Sequence, residues 1–272
     1  MKEMISPLAQ IHKNAEIGEN VTIEAFVVIH DNVKIGAGTH IQSHAVIMPG
    51  ARIGKNCSIF PGAVISAVPQ DLKFAGEDTT TEIGDNTVIR EYCTIHRGTK
   101  ENWKTVIGSN CLIMNYVHIA HDCVIGNHVI LSGYSGLAGH VDIEDHVIME
   151  GYSMVQQFIH IGAHAFVAGS SKVRKNVPPY VKAARDPLSY IGVNVIGMTR
   201  RGFKQETIKN IADTYRLLYV KGTSIATALK VIEHEIPQSP EKQHIIDFIN
   251  NSPDGIMKGP ISSLKEAGEI GK

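Results

Sequence analysis

From Ile5 an apolar residue returns at every sixth position as far as Val173, and 26 of the 29 positions on that spacing are filled. Isoleucine holds the first eleven, from 5 to 65. The series resumes at Ile83, Ile89 and Ile95, then at Ile107, Ile113, Ile119 and Ile125, and continues from Leu131 through Val173. Asp71, Glu77 and Glu101 are the exceptions. A period of six matches neither a 3.6-residue helix nor a two-residue strand alternation, so it belongs to a repeated supersecondary unit. Glycine follows the repeat residue at 18, 36 and 54, and again at 108, 126 and 162, always 18 residues or a multiple apart. That spacing predicts a coil of three short strands around a triangle, with glycine at one corner where positive φ or close packing is wanted. The repeat residues stack inward, coil on coil, as a parallel β-helix.

The four cysteines follow the same logic. Cys57, Cys93, Cys111 and Cys123 each stand four residues after a repeat isoleucine, a phase shared with Ala45, Ala51, Ala63 and Ala165. They read as small apolar fillers of a narrow interior. None forms a C-x-x-C pair, so neither a disulfide frame nor a cysteine zinc site is expected. A formal net charge of −1 argues against a general nucleic-acid surface. No stretch approaches signal-peptide or membrane-span character, so a cytoplasmic chain without a membrane span is expected.

Two of the missed positions fall within 66–82 and the third within 97–106. A solenoid accommodates insertions as loops projecting from a face, often the binding face, so both segments are candidates for substrate contact. The repeat ends at Val177-Pro178-Pro179. Residues 1–177 thus form the solenoid and 178–272 a small helical domain that could cover its open end. Helices are expected over about 204–220, with Ile208, Ile211, Tyr215, Leu218 and Tyr219 on one stripe; after the Gly222-Thr223-Ser224 stop and cap; near 241–250; and at 260–268.

Histidines 96, 118, 121 and 140 gather in one region. Counting by 18 places Gly139 one rung from His121 on the same edge, Gln157 one rung further, and His140 over Asp122. His121-Asp122 reads as a general base with an orienting carboxylate. Adjacent strand residues face opposite sides, so this pairing requires a corner between them. Gly139 offers no side chain to block approach, leaving its N–H open to a developing oxyanion. A lone edge histidine is more often a surface or interface residue. A zinc reading uses His118 and His121 with His96 or His140 as a third ligand, but no acidic or cysteine ligands cluster with them. Arg200 and Arg201 suit a diphosphate, and sit just before the expected 204–220 helix. The basic run Lys172, Arg174 and Lys175 suits an acidic protein partner or a solvated edge.

At these motifs the chain resembles the UDP-N-acetylglucosamine O-acyltransferases of lipid A synthesis. The resemblance rests on VPQDLKFAGE at 68–77, TIHRGT at 94–99, HIAHDC at 118–123, LAGHV at 137–141, QF at 157–158, IGAHAFV at 161–167, VPPYV at 177–181, GVN at 192–194 and RRGF at 200–203. It implies a left-handed parallel β-helix with a C-terminal α-helical domain, an exception to right-handed crossover, assembled as homotrimers with sites between subunits. The implied reaction moves an R-3-hydroxyacyl group from acyl carrier protein to the 3-hydroxyl of UDP-N-acetylglucosamine, with no cofactor or metal. By matching motif, His121 is implied as general base, Asp122 as its partner and the Gly139 N–H as oxyanion donor. Gln70, Asp71, Lys73, His118, His140 and Gln157 are implied to hold the sugar nucleotide or acyl chain, and Asn194, Arg200 and Arg201 the uridine diphosphate. Gly169 stands where the family limits acyl length. Two positions depart from the family pattern: Gln156 stands for a histidine, and Ile196 for a glutamate. The rival readings are N-acyl transfer to a related amino-sugar nucleotide, a γ-carbonic-anhydrase-like zinc enzyme, and a non-catalytic trimeric scaffold.

Overall fold

The computed structural model describes residues 4–219 and 224–260. Short strands, most of two residues, stack into three parallel sheets of nine, eight and ten strands. Each coil contributes one strand to each sheet. Ile29 pairs with Ile47 in the first, Ile17 with Ile35 in the second and Ile23 with Ile41 in the third, every pair 18 residues apart. The repeat residues from Ile23 to Val173 point inward and are buried, and so are all four cysteines. Each buried isoleucine contributes about 1.5–3 kcal/mol of apolar transfer. A single column of them therefore carries the fold.

Corners, not strands, set the shape. From Asn20 onward a residue with positive φ recurs at most turns, among them Asn20, Asn56, Asn110, Asp122, His140 and His164. The glycines after the repeat residues serve the other purpose anticipated for them. A Cβ on Gly36 would lie 2.5 Å from the Gly54 carbonyl carbon, and one on Gly108 2.5 Å from the Gly126 oxygen. Close approach of successive coils, rather than positive φ, requires glycine there.

The two insertions lengthen two coils. Val64 pairs with Thr94 and Thr94 with His118, giving coils of 30 and 24 residues in place of 18. The inward pairs Ile65–Ile95 and Ile95–Ile119 keep their register, and the one shift falls beyond them, at Ala67–His96, so the loops are added without disturbing the column.

At the C-terminal end Val181–Ala184 extends the third sheet in parallel with Phe166–Val167, and Ser189–Val193 returns antiparallel. Helix α1 (Val195–Arg200) follows, then α2 (Gln205–Tyr219), α3 (Ile225–Glu235) and α4 (Pro240–Asn250). The α2 stripe buries Ile208, Ile211, Tyr215 and Leu218 as expected, with Leu217 added and Tyr219 half-buried. Ser224 and Ser239 cap α3 and α4 through their hydroxyls. Helix α1 was not anticipated, and it takes in Met198, Thr199 and Arg200, so the RRGF stretch begins inside a helix rather than before one. At six residues, beginning Val-Ile and holding a glycine, its intrinsic propensity is poor, and the Asn194 cap carries it. The helix expected at 260–268 lies outside the described residues, apart from its first position. Among the described residues no helix is long and apolar enough to cross a membrane.

Candidate active site

The corner between the first and second sheets holds the main cluster. Asp122 is its left-handed residue, with φ of 60°. That turn brings the adjacent side chains of His121 and Asp122 together, which a continuous strand would forbid. His121 Nδ1 donates to Asp122 Oδ2 at 2.8 Å. The carboxylate is fully buried while the imidazole keeps 14 % exposure. Asp122 also accepts from the Thr99 N–H at 2.9 Å, the Thr99 hydroxyl at 2.7 Å and the Asn102 N–H at 3.3 Å. Burial pushes this carboxyl up, but the hydrogen bonds from Thr99 and His121, with His140 nearby, outweigh it and hold it below the usual range. With Nδ1 committed to Asp122, Nε2 is the open nitrogen of His121.

Gly139 lies one rung along, as the count by 18 requires. A Cβ there would stand 2.8 Å from His121 Nε2 and 2.6 Å from Cε1, so the imidazole rests against the glycine backbone. The amide of Gly139 is outward for a structural reason. At the equivalent corner position, the N–H of Ser43 goes to Glu24, that of Asn127 to Asp145, that of Ala163 to Glu144 and that of Gly169 to Glu150. Among the described residues no side chain takes the Gly139 N–H. An open imidazole nitrogen and an unclaimed amide donor thus share one edge.

His140 continues the corner. Its ring meets His121 edge-on at 5.2 Å and stacks on Phe158 at 4.6 Å. A cleft of about 500 Å³ opens beside it, lined by Asp71, Lys73 and Glu77 of the first loop, Thr99 to Asn102 of the second, and His140 and Phe158. Asp71 and Lys73 therefore join the corner, while Gln70 is exposed on the same loop. Gln157 lines an adjoining cleft of about 340 Å³ together with Gln156, Arg174 and Lys175. His118 lies on the flat face next to the corner, its Nδ1 2.8 Å from Thr94 Oγ1. His96 donates Nδ1–H to Val68 O at 2.7 Å and meets His118 edge-on. Burial lowers the basicity of both rings. His121, Asp122 and His140 each bring a ligand atom within 4.8 Å of the others. This differs from the histidine set expected for zinc, because His118 and His96 are engaged elsewhere.

Four expected residues stand apart. Asn194 caps α1 through Gly197 N and donates to His164 O, and Arg201 donates to His146 O. Arg200, beside it, is exposed. These contacts belong to the corner of the column His128–His146–His164, not to that of His121. Ile196, on the same short helix, is also exposed. Gly169 sits at the remaining corner. One chain does not unite the expected site.

The second loop's part in the site was not anticipated beyond substrate contact. Thr99, Asn102 and Thr105 grip Asp122 through its carboxylate and main chain. TIHRGT carried the signal, but the partner lies 23 residues away.

A column of hexapeptide coils bearing an outward imidazole tied to a buried carboxylate, beside an open main-chain amide, defines an acyltransferase of the hexapeptide class. The family description "Bacterial transferase hexapeptide (six repeats)" matches residues 32–67 and 104–139, and "Udp N-acetylglucosamine O-acyltransferase; Domain 2" matches 176–257. The acyl-[acyl-carrier-protein]–UDP-N-acetylglucosamine O-acyltransferase of Sulfurihydrogenibium sp. is 58% identical over 93% of this chain and 93% of its own. That of Aquifex aeolicus is 60% identical over 91% and 95%. The crystal structure of a UDP-N-acetylglucosamine acyltransferase from Bacteroides fragilis, 48% identical, superposes with a TM-score of 0.93 over 94% of this chain and all of that one. The chain belongs to the UDP-N-acetylglucosamine O-acyltransferase family, and its fold is the left-handed parallel β-helix with C-terminal helices.

Proposed function

We propose that the chain transfers an R-3-hydroxyacyl group from acyl carrier protein to the 3-hydroxyl of UDP-N-acetylglucosamine, the first step of lipid A synthesis. The observation that carries the mechanism is the open Nε2 of His121 beside the unclaimed N–H of Gly139. His121 Nε2 removes the proton of the sugar hydroxyl as its oxygen attacks the thioester carbonyl. The oxyanion formed on that carbonyl accepts from the Gly139 N–H. Collapse breaks the C–S bond, and the imidazolium returns its proton to the departing carrier thiolate. Ester and free thiol are the products, and Asp122 remains a carboxylate throughout. A cysteine nucleophile has no place in this scheme. Cys123, the nearest, is fully buried in the column, and burial pushes its thiol up to about 12.

In this proposal Asp71 and Lys73, with His140, hold the sugar nucleotide in the larger cleft. Gln70, His118 and Gln157 flank it, and residues 1–177 carry the chemistry. Asn194, Arg200 and Arg201 reach the diphosphate of a neighbouring copy's site in a homotrimer. Two features support that assembly. The residues expected in one site lie on separate corners of a single chain. The third sheet also carries a continuous outward stripe, Val88, Leu112, Ile130, Ile148 and Phe166, beside a column of exposed stacked tyrosines, 92, 116, 134 and 152. An apolar surface of this extent marks a protein interface; at the same coils the second sheet is mixed, presenting Glu82, Val106, Val124, Asp142 and His160.

The test offers purified protein UDP-N-acetylglucosamine and its 3-amino analogue, each with a ladder of 3-hydroxyacyl-carrier donors, and reads products by mass spectrometry. An ester on the hydroxyl acceptor at the higher turnover is expected. Preference for the amine would replace this reading with N-acyl transfer. The cluster of His121, Asp122 and His140 makes metal analysis a useful companion, since stoichiometric zinc required for turnover would favour the metalloenzyme reading.

A further inference from the structure

We propose that Thr99 is a positioning residue for the acyl transfer: by gripping the Asp122 carboxylate it fixes the imidazole of His121 against Gly139, a role that rests on His121 being the general base. Its main-chain N–H donates to Asp122 Oδ1 at 2.9 Å and its hydroxyl to Oδ2 at 2.7 Å, so one residue holds both carboxylate oxygens. Oδ2 is also the oxygen that accepts from His121 Nδ1, at 2.8 Å. The direction of the Thr99 proton is settled by its surroundings. The hydroxyl oxygen accepts from Glu101 N–H at 3.3 Å, which leaves its own hydrogen for Asp122.

The 97–106 insertion is built to hold this grip. Arg97 N–H donates to Ala67 O and Gly98 N–H to Thr80 O, which anchor the loop base to the preceding coil. A Cβ on Gly98 would lie 2.3 Å from Lys104 N, so only glycine lets the two ends of the loop close. Trp103 N–H then donates to Thr99 O at 2.7 Å and shuts the turn. Asn102 adds its N–H to Oδ1 and its side-chain amide to Asp122 O, and Thr105 Oγ1 accepts from Asp122 N–H. Thr99 itself is buried. A six-residue lengthening of one coil thus sets a hydroxyl and an amide on a carboxylate that an 18-residue coil would leave to solvent.

The variants Thr99→Val and Thr99→Ser separate positioning from packing. Valine keeps the shape and the main-chain N–H but removes the hydroxyl; serine restores it. In the full-length enzyme, Thr99→Val should lower kcat about tenfold with both KM values within about twofold, and Thr99→Ser should recover at least half the wild-type kcat. Without that donor the Asp122 carboxyl becomes harder to deprotonate. The acid limb of kcat/KM should therefore move to higher pH in Thr99→Val and return in Thr99→Ser. Wild-type kcat and pH profile in Thr99→Val would overturn the assignment, as would equal impairment of the two variants. His121→Ala run alongside keeps the failures distinct. An inactive His121→Ala with a normal Thr99→Val removes only the role of Thr99; an active His121→Ala removes the general base, and this role with it.

Discussion

An alanine at position 139 would set a methyl carbon 2.6 Å from His121 Cε1, 2.8 Å from Nε2 and 3.2 Å from Nδ1. Ordinary carbon contacts lie at about 3.5–4.0 Å, so the ring must move by about 1 Å. It cannot retreat freely, because Nδ1 is tied at 2.8 Å to a carboxylate held by Thr99 and Asn102. The φ of Gly139 lies outside the left-handed region, so alanine brings no backbone strain of its own. The substitution therefore displaces one imidazole and little else. A misplacement of about 1 Å in a reacting group costs about 10²-fold in rate. We expect Gly139→Ala to lose about 10²-fold in kcat, while chemical denaturation shows less than about 2 kcal/mol of lost stability, as for a surface substitution with a local clash. Steady-state turnover with the natural acceptor, paired with a urea melt, reads both quantities. A folded Gly139→Ala with near wild-type kcat would refute the placement of His121 as the reacting base.

Glu144 offers a pH test of how the helical tail is fastened. Its carboxylate meets His160 at 2.9 Å and His244 of α4 at 2.7 Å. Burial raises this carboxyl, but the two histidines and the Ala163 N–H bring it down to about 2. A depressed carboxyl stabilises the fold above its ordinary pKa and loses that stability as pH falls, here from about 4.5 toward 2, by about 3 kcal/mol at most. Glu144→Gln should accordingly be less stable at pH 7, with the gap to wild type closing as the pH falls through that window; a constant gap in denaturation midpoints contradicts the clamp. A Cβ on Gly169 would stand 3.3 Å from Gly151 O and 3.7 Å from Glu150 Cβ, so a side chain there fits once the Gly151 backbone gives by a few tenths of an ångström. If acyl chains end at this corner, Gly169→Met should shift the product ladder to shorter chains in a protein that still folds, and an unaltered ladder counts against that path. Mixed trimers test the shared site. His121→Ala and Arg201→Ala should each be inactive alone, yet random reassembly of the two should restore about a quarter of wild-type activity, because one site per mixed trimer draws intact residues from two chains. No restoration would place both residues in the site of one chain.

Much of this arrangement is legible in the spacing of residues. The six-residue period gives the column, and its 18-residue coil sets His121 against Gly139 and His140 over Asp122. The corner that the His121-Asp122 pairing demanded is present, with Asp122 in the left-handed conformation. What stayed hidden depends on loop length. Thr99 reaches Asp122 only because its coil holds 24 residues, and counting by 18 cannot register a contact made by the extra six. The separation of Asn194 and Arg201 from His121 was hidden for another reason. Both follow the end of the repeat, where no period assigns a corner, and α1 has too little intrinsic propensity to announce itself. The glycines after the repeat residues were ambiguous between turn and contact, and only the coil-to-coil distance resolves them.

In the proposed mechanism His121 removes the proton of the sugar hydroxyl in a direct transfer from the carrier thioester. Single-turnover conversion of UDP-N-acetylglucosamine and a 3-hydroxyacyl-carrier donor, followed by mass spectrometry for wild type and His121→Ala, addresses it most directly. The expected result is a loss of at least about 10²-fold in the chemical step for His121→Ala, with native circular dichroism and unchanged oligomeric state. Comparable single-turnover rates in the folded variant would contradict it.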